Sequence, residues 1–98
     1  MKNTIYVAQS DINGDGLFTI EKIKEGEIIG VSHVFYEGYW YMTAHGNYNH
    51  SKNPNCFVRT EENINLLIAK RNIESWEELI VDYTKQLYLE QPEEYWVK

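Results

Sequence analysis

Cysteine, long hydrophobic runs and positive charge are all scarce in this chain of 98 residues. Cys56 is the only cysteine, which excludes an internal disulfide bond and a zinc site built from several thiolates. No segment is long and apolar enough to span a bilayer, and the first residues lack the apolar run of a signal peptide. We therefore expect an intracellular protein that is neither secreted nor embedded in a membrane.

Acidic residues outnumber basic residues by 15 to 9, which gives a formal net charge of −6. The phosphate backbone of nucleic acids is bound by clustered Lys and Arg, so this balance argues against a direct nucleic-acid partner. It suits a basic, histone-like protein or peptide through long-range attraction, although acidity also simply keeps a small protein soluble.

Aromatic residues are plentiful, with eight Tyr, three Trp and three Phe. Tyr and Trp often keep a polar end at a cleft or an interface, so we expect some of these rings on a binding surface. A core this small, combined with so many aromatic residues, leaves a homodimer open.

Short alternating or β-branched segments, separated by turn residues, predict a mostly β single domain over residues 1–98. The predicted strands span residues 4–9, 17–20, 27–35, 56–60, 64–69 and 79–83. Helical signal is limited to a turn at residues 39–43 and a C-terminal segment after Pro92. No internal repeat is visible.

Residues 11–16 match the first half of a calcium-binding EF-hand loop. Asp11, Asn13 and Asp15 offer oxygen ligands at the first, third and fifth positions, and Gly16 follows at the sixth. The twelfth position requires a glutamate but holds Lys22, and the flanking segments have strand patterns instead of helical ones. We therefore favour a tight turn over a calcium site.

Three short motifs carry the strongest functional signal. They are Gly14-Asp15-Gly16-Leu17-Phe18, Asn49-His50-Ser51 with Pro54-Asn55, and Glu77-Glu78-Leu79-Ile80-Val81-Asp82-Tyr83. In this order, with Lys24-Glu25-Gly26-Glu27 between the first two, they resemble the SET-domain protein lysine methyltransferases over almost the whole chain. The similarity is greatest to the minimal stand-alone SET proteins of viruses, which would place the protein in the cytoplasm or nucleus of a host cell.

The resemblance implies a SET-domain (β-clip) fold of several small sheets, with a C-terminal pseudoknot and little helix. It also implies S-adenosylmethionine as the cofactor. The expected cofactor-binding residues are Gly14, Asp15, Gly16, Leu17, Asn49, His50 and Trp96. Missing side chains in the glycine segment would let its backbone approach the cofactor. Asn49 and His50 would offer polar groups without a positive charge that repels the sulfonium.

The resemblance implies that Tyr83 is the catalytic residue, whose hydroxyl orients the target lysine amine and the methyl group. The residues expected to contact the substrate are Tyr36, Tyr39, Leu87 and Tyr88. Leu87 lies four residues after Tyr83, where many family members have Tyr or Phe. Because leucine removes a hydrogen-bond partner for the amine, we expect higher methylation states to be tolerated.

The chain departs from the family pattern in three ways. Lys52 replaces the first zinc-binding cysteine of the chromatin-type enzymes, and no cysteine follows Cys56. We therefore expect residues 84–98 to close the cofactor pocket in place of a zinc-binding extension, with Trp96 stacking on the adenine or packing the tail onto the core. The residues 46–48 replace the family's usual arginine. The insert between Glu27 and Asn49 is very short, and this favours the alternative function of a non-catalytic SET-fold binding module.

Overall fold

The computed structural model describes residues 5–85, which form eight short strands and two single-turn 3₁₀ helices. The strands are β1 (Ile5–Gln9), β2 (Asp15–Thr19), β3 (Ile28–Tyr36), β4 (Tyr39–Met42), β5 (Asn49–His50), β6 (Cys56–Glu61), β7 (Ile64–Ala69) and β8 (Glu78–Val81), and the 3₁₀ helices are η1 (Ala44–Gly46) and η2 (Tyr83–Lys85). The prediction of a mostly β fold in several small sheets is confirmed. The described part of the chain contains no helix long and apolar enough to cross a membrane.

The strands form two four-stranded sheets. In the first sheet the order is β1-β2-β8-β5, and in the second it is β4-β3-β7-β6. The strand β8 pairs antiparallel with β2 and parallel with β5. This single strand therefore places side by side three segments that are far apart in the sequence, and each of these segments carries one of the three motifs.

The loop after β5 also bonds to β8, so that both ends of residues 49–55 hold the same strand. The N–H of Ser51 donates to the carbonyl of Val81 over 3.1 Å, and the N–H of Asn55 donates to the carbonyl of Ile80 over 3.2 Å. These bonds join the Asn-His segment to β8, in the part of the chain where the resemblance implies a pseudoknot.

The predicted helical turn at residues 39–43 is wrong, because this segment forms β4. The two-residue turn Glu37-Gly38 has positive φ at both positions, 48° and 88°, which suits the right-handed twist of a hairpin. It folds β4 back onto β3, where Trp40 pairs with Phe35 and their ring centroids lie 5.2 Å apart. The 3₁₀ turn comes later, at Ala44–Gly46. The predicted helix after Pro92 lies outside the described residues.

The structure contains an internal repeat that the sequence does not reveal. Residues 19–29 and 69–79 adopt the same strand, bridge and turn pattern, and they bond to each other reciprocally. The matched pairs of hydrogen bonds are Ile23 N to Ile73 O (2.9 Å) with Ile73 N to Ile23 O (2.8 Å), and Gly26 N to Ala69 O (2.8 Å) with Trp76 N to Thr19 O (2.7 Å). Only Ile23/Ile73 and Glu27/Glu77 are identical between the two segments, so the repeat lies in the backbone geometry.

Matching residues of the repeat share an unusual backbone conformation. Gly26 has φ of 84°, and its counterpart Trp76 has φ of 68°. A Cβ atom at Gly26 would meet nothing within 4 Å, so an alanine there changes the backbone energy alone. We expect Gly26→Ala to lower the free energy of unfolding by about 1–2 kcal/mol. Urea denaturation measures this loss, and the exposed neighbour substitution Lys24→Ala should stay within about 0.5 kcal/mol of the wild type.

The hydrophobic core draws on strands from both sheets. Its buried members are Leu17, Ile23, Ile29, Tyr48, Cys56, Leu67, Ala69, Ile73, Leu79 and Val81. Burial raises the pKa of the Cys56 thiol to about 12, so this cysteine stays protonated and acts as a small apolar side chain. Leu17 and Tyr48 belong both to the core and to segments that form the site described below.

Candidate active site

The end of β8, β5 and the β1–β2 turn surround a small cavity. Its volume is about 180 Å³, and its walls are formed by Ile12, Asn13, Asn49, His50 and Tyr83. The parallel pairing of β5 with β8 sets Asn49 opposite Ile80 and His50 opposite Val81. The amide, the imidazole and the phenol predicted from the sequence therefore meet in one place.

The side-chain amide of Asn49 joins the β1–β2 turn to β8. Its Nδ2 lies 3.1 Å from the carbonyl oxygen of Asn13, 3.3 Å from that of Asp15 and 2.9 Å from Oε2 of Glu78. All three neighbours are acceptors, so the NH₂ group must point toward them and Oδ1 must point away. The orientation of this amide is therefore determined by its surroundings.

The imidazole of His50 is buried and accepts a hydrogen bond from the backbone of the catalytic candidate. Its Nδ1 lies 3.0 Å from the N–H of Tyr83, and a nitrogen that accepts in this way carries no proton. The proton of the neutral ring is therefore on Nε2, which has no hydrogen-bond partner among the described residues. Oδ1 of Asp82 is 3.8 Å from Nδ1, but an unprotonated nitrogen does not form an ion pair with it.

The phenol of Tyr83 is held from two directions. Its hydroxyl donates to the carbonyl oxygen of Tyr48 over 2.5 Å, and its ring meets the ring of His50 at 5.3 Å between centroids, edge to face. Burial, with a smaller contribution from the nearby charge of Glu78, raises the pKa of the Tyr83 hydroxyl. The hydroxyl is therefore neutral, and its single proton is already donated.

The predicted glycine segment contributes its backbone to the site. The carbonyl of Asp15 accepts from Asn49, whereas the side chain of Leu17 is fully buried in the core. A Cβ atom at Gly16 would collide with the carboxylate of Glu78. The missing side chain at Gly16 thus makes room for a glutamate of β8, a reason that the sequence does not suggest. Gly14 is exposed and lies in the turn, with φ of 48°.

The same turn was the alternative calcium site. It is closed by hydrogen bonds from Ser10 N to the carbonyl of Gly14 (2.7 Å) and from Ile12 N to Oγ of Ser10 (2.9 Å). The flanking β1 and β2 pair as antiparallel strands, whereas an EF-hand loop connects two helices. In the described residues, no group of three His, Cys, Asp or Glu side chains is placed to hold a metal ion.

The predicted substrate residues are not gathered around Tyr83. Tyr36 and Tyr39 flank the β3–β4 turn with 62% and 69% of their surface exposed, and neither belongs to the wall of the cavity. The role of Tyr36 and Tyr39 in substrate binding stays a prediction. The other two predicted substrate residues, Leu87 and Tyr88, lie outside the described residues, and so does Trp96, the predicted cofactor residue of the tail.

Five contributors to the site were not predicted as such from the sequence, namely the wall residues Ile12 and Asn13 and the supporting residues Ser10, Tyr48 and Glu78. Glu78 stands inside the third motif and Tyr48 directly precedes Asn49, so their places next to motif residues were the available signal. Ser10 had none, because it meets Glu78 across 68 positions of the chain.

This fold and site define a domain of the SET type. A sequence model of the SET domain family matches residues 32–84, which is more than half of the chain. The protein therefore belongs to the SET domain family. No curated protein matches the chain in sequence.

Solved structures have the same fold. A candidate histone methyltransferase of Plasmodium falciparum is 27% identical with a TM-score of 0.72, and the alignment covers 85% of this chain and 95% of that one. The Polycomb Repressive Complex 2 of Chaetomium thermophilum, bound to S-adenosylmethionine in an autoinhibited conformation, is 20% identical with a TM-score of 0.71, over 90% of this chain. The same complex with H3K27me3 and H3K27M is 22% identical with a TM-score of 0.68, over 85% of this chain. The protein spans only 17% and 15% of those two larger chains.

The cavity has the properties that part of a sulfonium cofactor requires. Its wall combines the amide residue Asn49, the imidazole of His50, whose buried Nε2 has no hydrogen-bond partner among the described residues, and the phenol of Tyr83. None of the five residues that form its wall is Lys or Arg. Pockets for drug-sized ligands measure about 300–1,000 Å³. A cavity of about 180 Å³ has room for the reacting end of such a cofactor only. The remainder of the cofactor would have to be bound by residues outside this cavity.

Proposed function

We propose that the protein is an S-adenosylmethionine-dependent protein lysine N-methyltransferase. The observation that carries the proposal is the convergence of Asn49 and His50 with Tyr83, over a sequence distance of more than thirty residues. Membership of the SET domain family supports it, as does the likeness to a structure bound to S-adenosylmethionine. The cofactor would supply a methyl group on a positively charged sulfur, which a neutral lysine amine can attack.

The hydrogen bonds of Tyr83 suggest its role. Because its proton is donated to the Tyr48 carbonyl, the phenol oxygen can act toward a substrate only as an acceptor. It would accept an N–H of the incoming amine and so direct the nitrogen lone pair toward the methyl group. Positioning of this kind contributes up to about 7–11 kcal/mol in favourable cases. The amine must arrive uncharged, and a buried site lowers the pKa of a lysine.

The substrate would be a lysine-bearing, basic protein or peptide. The net charge of −6 favours its approach, and the exposed rings of Tyr36 and Tyr39 offer a surface beside which it could lie.

The edge strand β4 carries no charged residue and could pair with a second copy of the chain. Light scattering of the purified protein would distinguish a homodimer from a monomer. Lys52 and the short insert favour placement with the minimal viral SET proteins, in the cytoplasm or nucleus of a host cell.

The proposal is tested by calorimetry with S-adenosylmethionine, followed by incubation with labelled cofactor and a cell lysate. Binding of the cofactor, together with label on lysine residues mapped by mass spectrometry, is the expected result. A chain that binds no cofactor and transfers no label would contradict the proposal.

The alternative is a SET-fold module that binds the cofactor without transferring the methyl group. The short insert between Glu27 and Asn49 favours this alternative, because it offers little chain to hold a peptide substrate. Within the insert, a two-residue turn connects β3 to the four-residue β4. Tight cofactor binding with no labelled lysine in any lysate would support this alternative over the enzyme.

We further propose that residues 84–98 close the cofactor pocket. A groove of about 540 Å³ adjoins the site at Asp82, and Lys52, Lys70 and the exposed ring of Phe57 line it. The tail carries Glu90, Glu93 and Glu94 as well as aromatic residues, so its charge and apolar content complement the groove.

Replacing Trp96 by alanine tests this closure. If the indole stacks on the cofactor, the dissociation constant for S-adenosylmethionine should rise about 3- to 10-fold, as calorimetry would measure. If Trp96 only packs the tail onto the core, thermal stability should fall while the dissociation constant stays the same. Trp76→Ala provides a matched control, because Trp76 is exposed and lies outside the wall of the cavity.

A further inference from the structure

Glu78 lies on β8 behind the cavity wall, where it contacts the wall residue Asn49 and Ser10 of the β1–β2 turn. Both oxygens of its carboxylate receive the Ser10 hydroxyl, at 2.9 and 2.8 Å, and Oε2 also receives the Asn49 amide at 2.9 Å. The neighbouring strand leaves space for this carboxylate only because residue 16 is glycine. The carboxylate is thus packed in a defined position, held by Ser10 of the β1–β2 turn and by Asn49 of β5.

Within residues 5–85, the carboxylate of Glu78 is the one charged acceptor that the Asn49 amide contacts. A carboxylate cannot donate a hydrogen bond at neutral pH, and the other two neighbours of Nδ2 are backbone carbonyls. Turning the amide over would place Oδ1 against a negative charge. Glu78 therefore stabilises the orientation in which Nδ2 faces these three acceptors and Oδ1 faces away from them.

We infer that Glu78 is a positioning residue, which orients the Asn49 amide for the cofactor without itself touching the reacting atoms. The inference rests on the proposed function, because it concerns the cofactor of that same site. The negative charge of Glu78 also acts on the phenol of Tyr83. Burial is the larger cause of the raised pKa of the Tyr83 hydroxyl, and the charge of Glu78 is the smaller one.

The substitution Glu78→Gln tests the inference, because it keeps the size of the side chain and removes the charge. We expect the dissociation constant for S-adenosylmethionine to rise about 10- to 100-fold, as for the loss of a hydrogen bond to a charged group. Glu77→Gln is the matched control. It removes the same charge one residue earlier, where the carboxylate bonds to Asn55 and Arg71 instead, and should change the dissociation constant by less than about 3-fold.

A double-mutant cycle with Asn49→Ala separates positioning from a general structural effect. If Glu78 acts through Asn49, Glu78→Gln should weaken binding by less than about 3-fold further in the Asn49→Ala background. An equal loss in both backgrounds would overturn the inference, and so would wild-type affinity in Glu78→Gln alone. Should Glu78→Gln not fold, Ser10→Ala removes the other hydrogen-bond partner of the carboxylate and should weaken binding by a smaller factor, whereas wild-type affinity in Ser10→Ala would overturn the inference.

A measurement without cofactor makes failure of the inference distinguishable from failure of the proposed function. In the wild type, the side-chain NH₂ protons of Asn49 should exchange slowly with solvent, and in Glu78→Gln they should exchange at least about 10-fold faster. If the wild type binds no cofactor but its Asn49 amide protons exchange more slowly than those of Glu78→Gln, the proposed methyltransferase function is refuted. The inference that Glu78 orients the Asn49 amide would still stand. Equal exchange in both proteins would overturn the positioning.

Discussion

Replacing Tyr83 by phenylalanine is expected to slow methyl transfer in a single turnover by about 100-fold or more, while the cofactor's dissociation constant changes by less than about 3-fold. The ring would keep its edge-to-face contact with His50, so the wall of the cavity would remain. Only the oxygen that would orient the amine is lost. Quenched-flow measurement with enzyme in excess over labelled cofactor reports the transfer step itself, and calorimetry reports the affinity.

The same substitution removes the hydrogen bond from Tyr83 to the carbonyl of Tyr48, which is buried. Leaving that acceptor without a donor should cost about 1–3 kcal/mol of stability, so urea denaturation must show that the variant is still folded under assay conditions. Tyr41→Phe is the matched control, because Tyr41 lies exposed on β4 and does not belong to the cavity wall. An unchanged rate in Tyr83→Phe would remove Tyr83 from the mechanism.

The fold is predictable from the sequence where a strand has both a periodic pattern and a boundary residue. The strand β7 was predicted with its observed bounds, Ile64–Ala69, because five of its six residues are apolar and turn residues precede it. The strand β5 was not predicted, since two residues carry no periodicity. The predicted strand at 79–83 ends at Val81 instead, where Oδ1 of Asp82 accepts the N–H of Thr84 and begins a 3₁₀ turn.

The internal repeat could not be predicted from the sequence, because its two halves conserve a backbone path and not a residue pattern. Its most informative pair is Gly26 and Trp76, which share the left-handed conformation although only glycine adopts it without strain. In the sequence, nothing distinguishes Trp76 from an ordinary surface residue, and only its φ of 68° shows the left-handed conformation.

The site was predictable only in part for a similar reason. The motif residues Asn49, His50 and Tyr83 were identified by resemblance, and the structure brings them together. Their supporting contacts come from residues that no local pattern connects, such as Ser10 with Glu78. A hydrogen bond between side chains 68 positions apart depends on the register of three strands, which a single sequence does not specify.

Asn55→Asp is expected to be among the most destabilising substitutions of similar size in the chain, although the two side chains have nearly the same shape. Asn55 is 1% exposed, and its Nδ2 donates to Oε2 of Glu77 at 2.9 Å and to the carbonyl of Glu78 at 2.7 Å. Its Oδ1 accepts from the N–H of Ile80 at 2.9 Å. An aspartate keeps the last bond, turns the other two into contacts between acceptors and buries a charge beside the Glu77 carboxylate.

Breaking a buried polar network in this way costs about 3–5 kcal/mol, a large share of the roughly 5–15 kcal/mol that holds a small domain folded. Asn55→Ala is the comparison variant, because it removes all three hydrogen bonds without adding a charge, and we expect it to lose less stability at neutral pH. Urea denaturation of both variants measures the difference, and an aspartate variant as stable as the alanine variant would contradict the hydrogen bonds assigned to this amide.

The two variants should also differ in their dependence on pH. Burial and the Glu77 charge would raise the pKa of an aspartate at position 55 above its unfolded value of about 3.9. The folded protein would then bind more protons than the unfolded chain between those two pKa values, so the stability of Asn55→Asp should rise as the pH falls through that range. Burial opposes the ionisation of Glu77, but hydrogen bonds from Arg71 and Asn55 outweigh it and lower the pKa of this carboxyl in the native protein. The stability that Glu77 contributes is present above the unfolded pKa of its carboxyl and is lost as the pH falls through its folded pKa. Acid should therefore lower the stability of the wild type while it raises that of Asn55→Asp. The difference in free energy of unfolding between the two proteins should narrow as the pH falls.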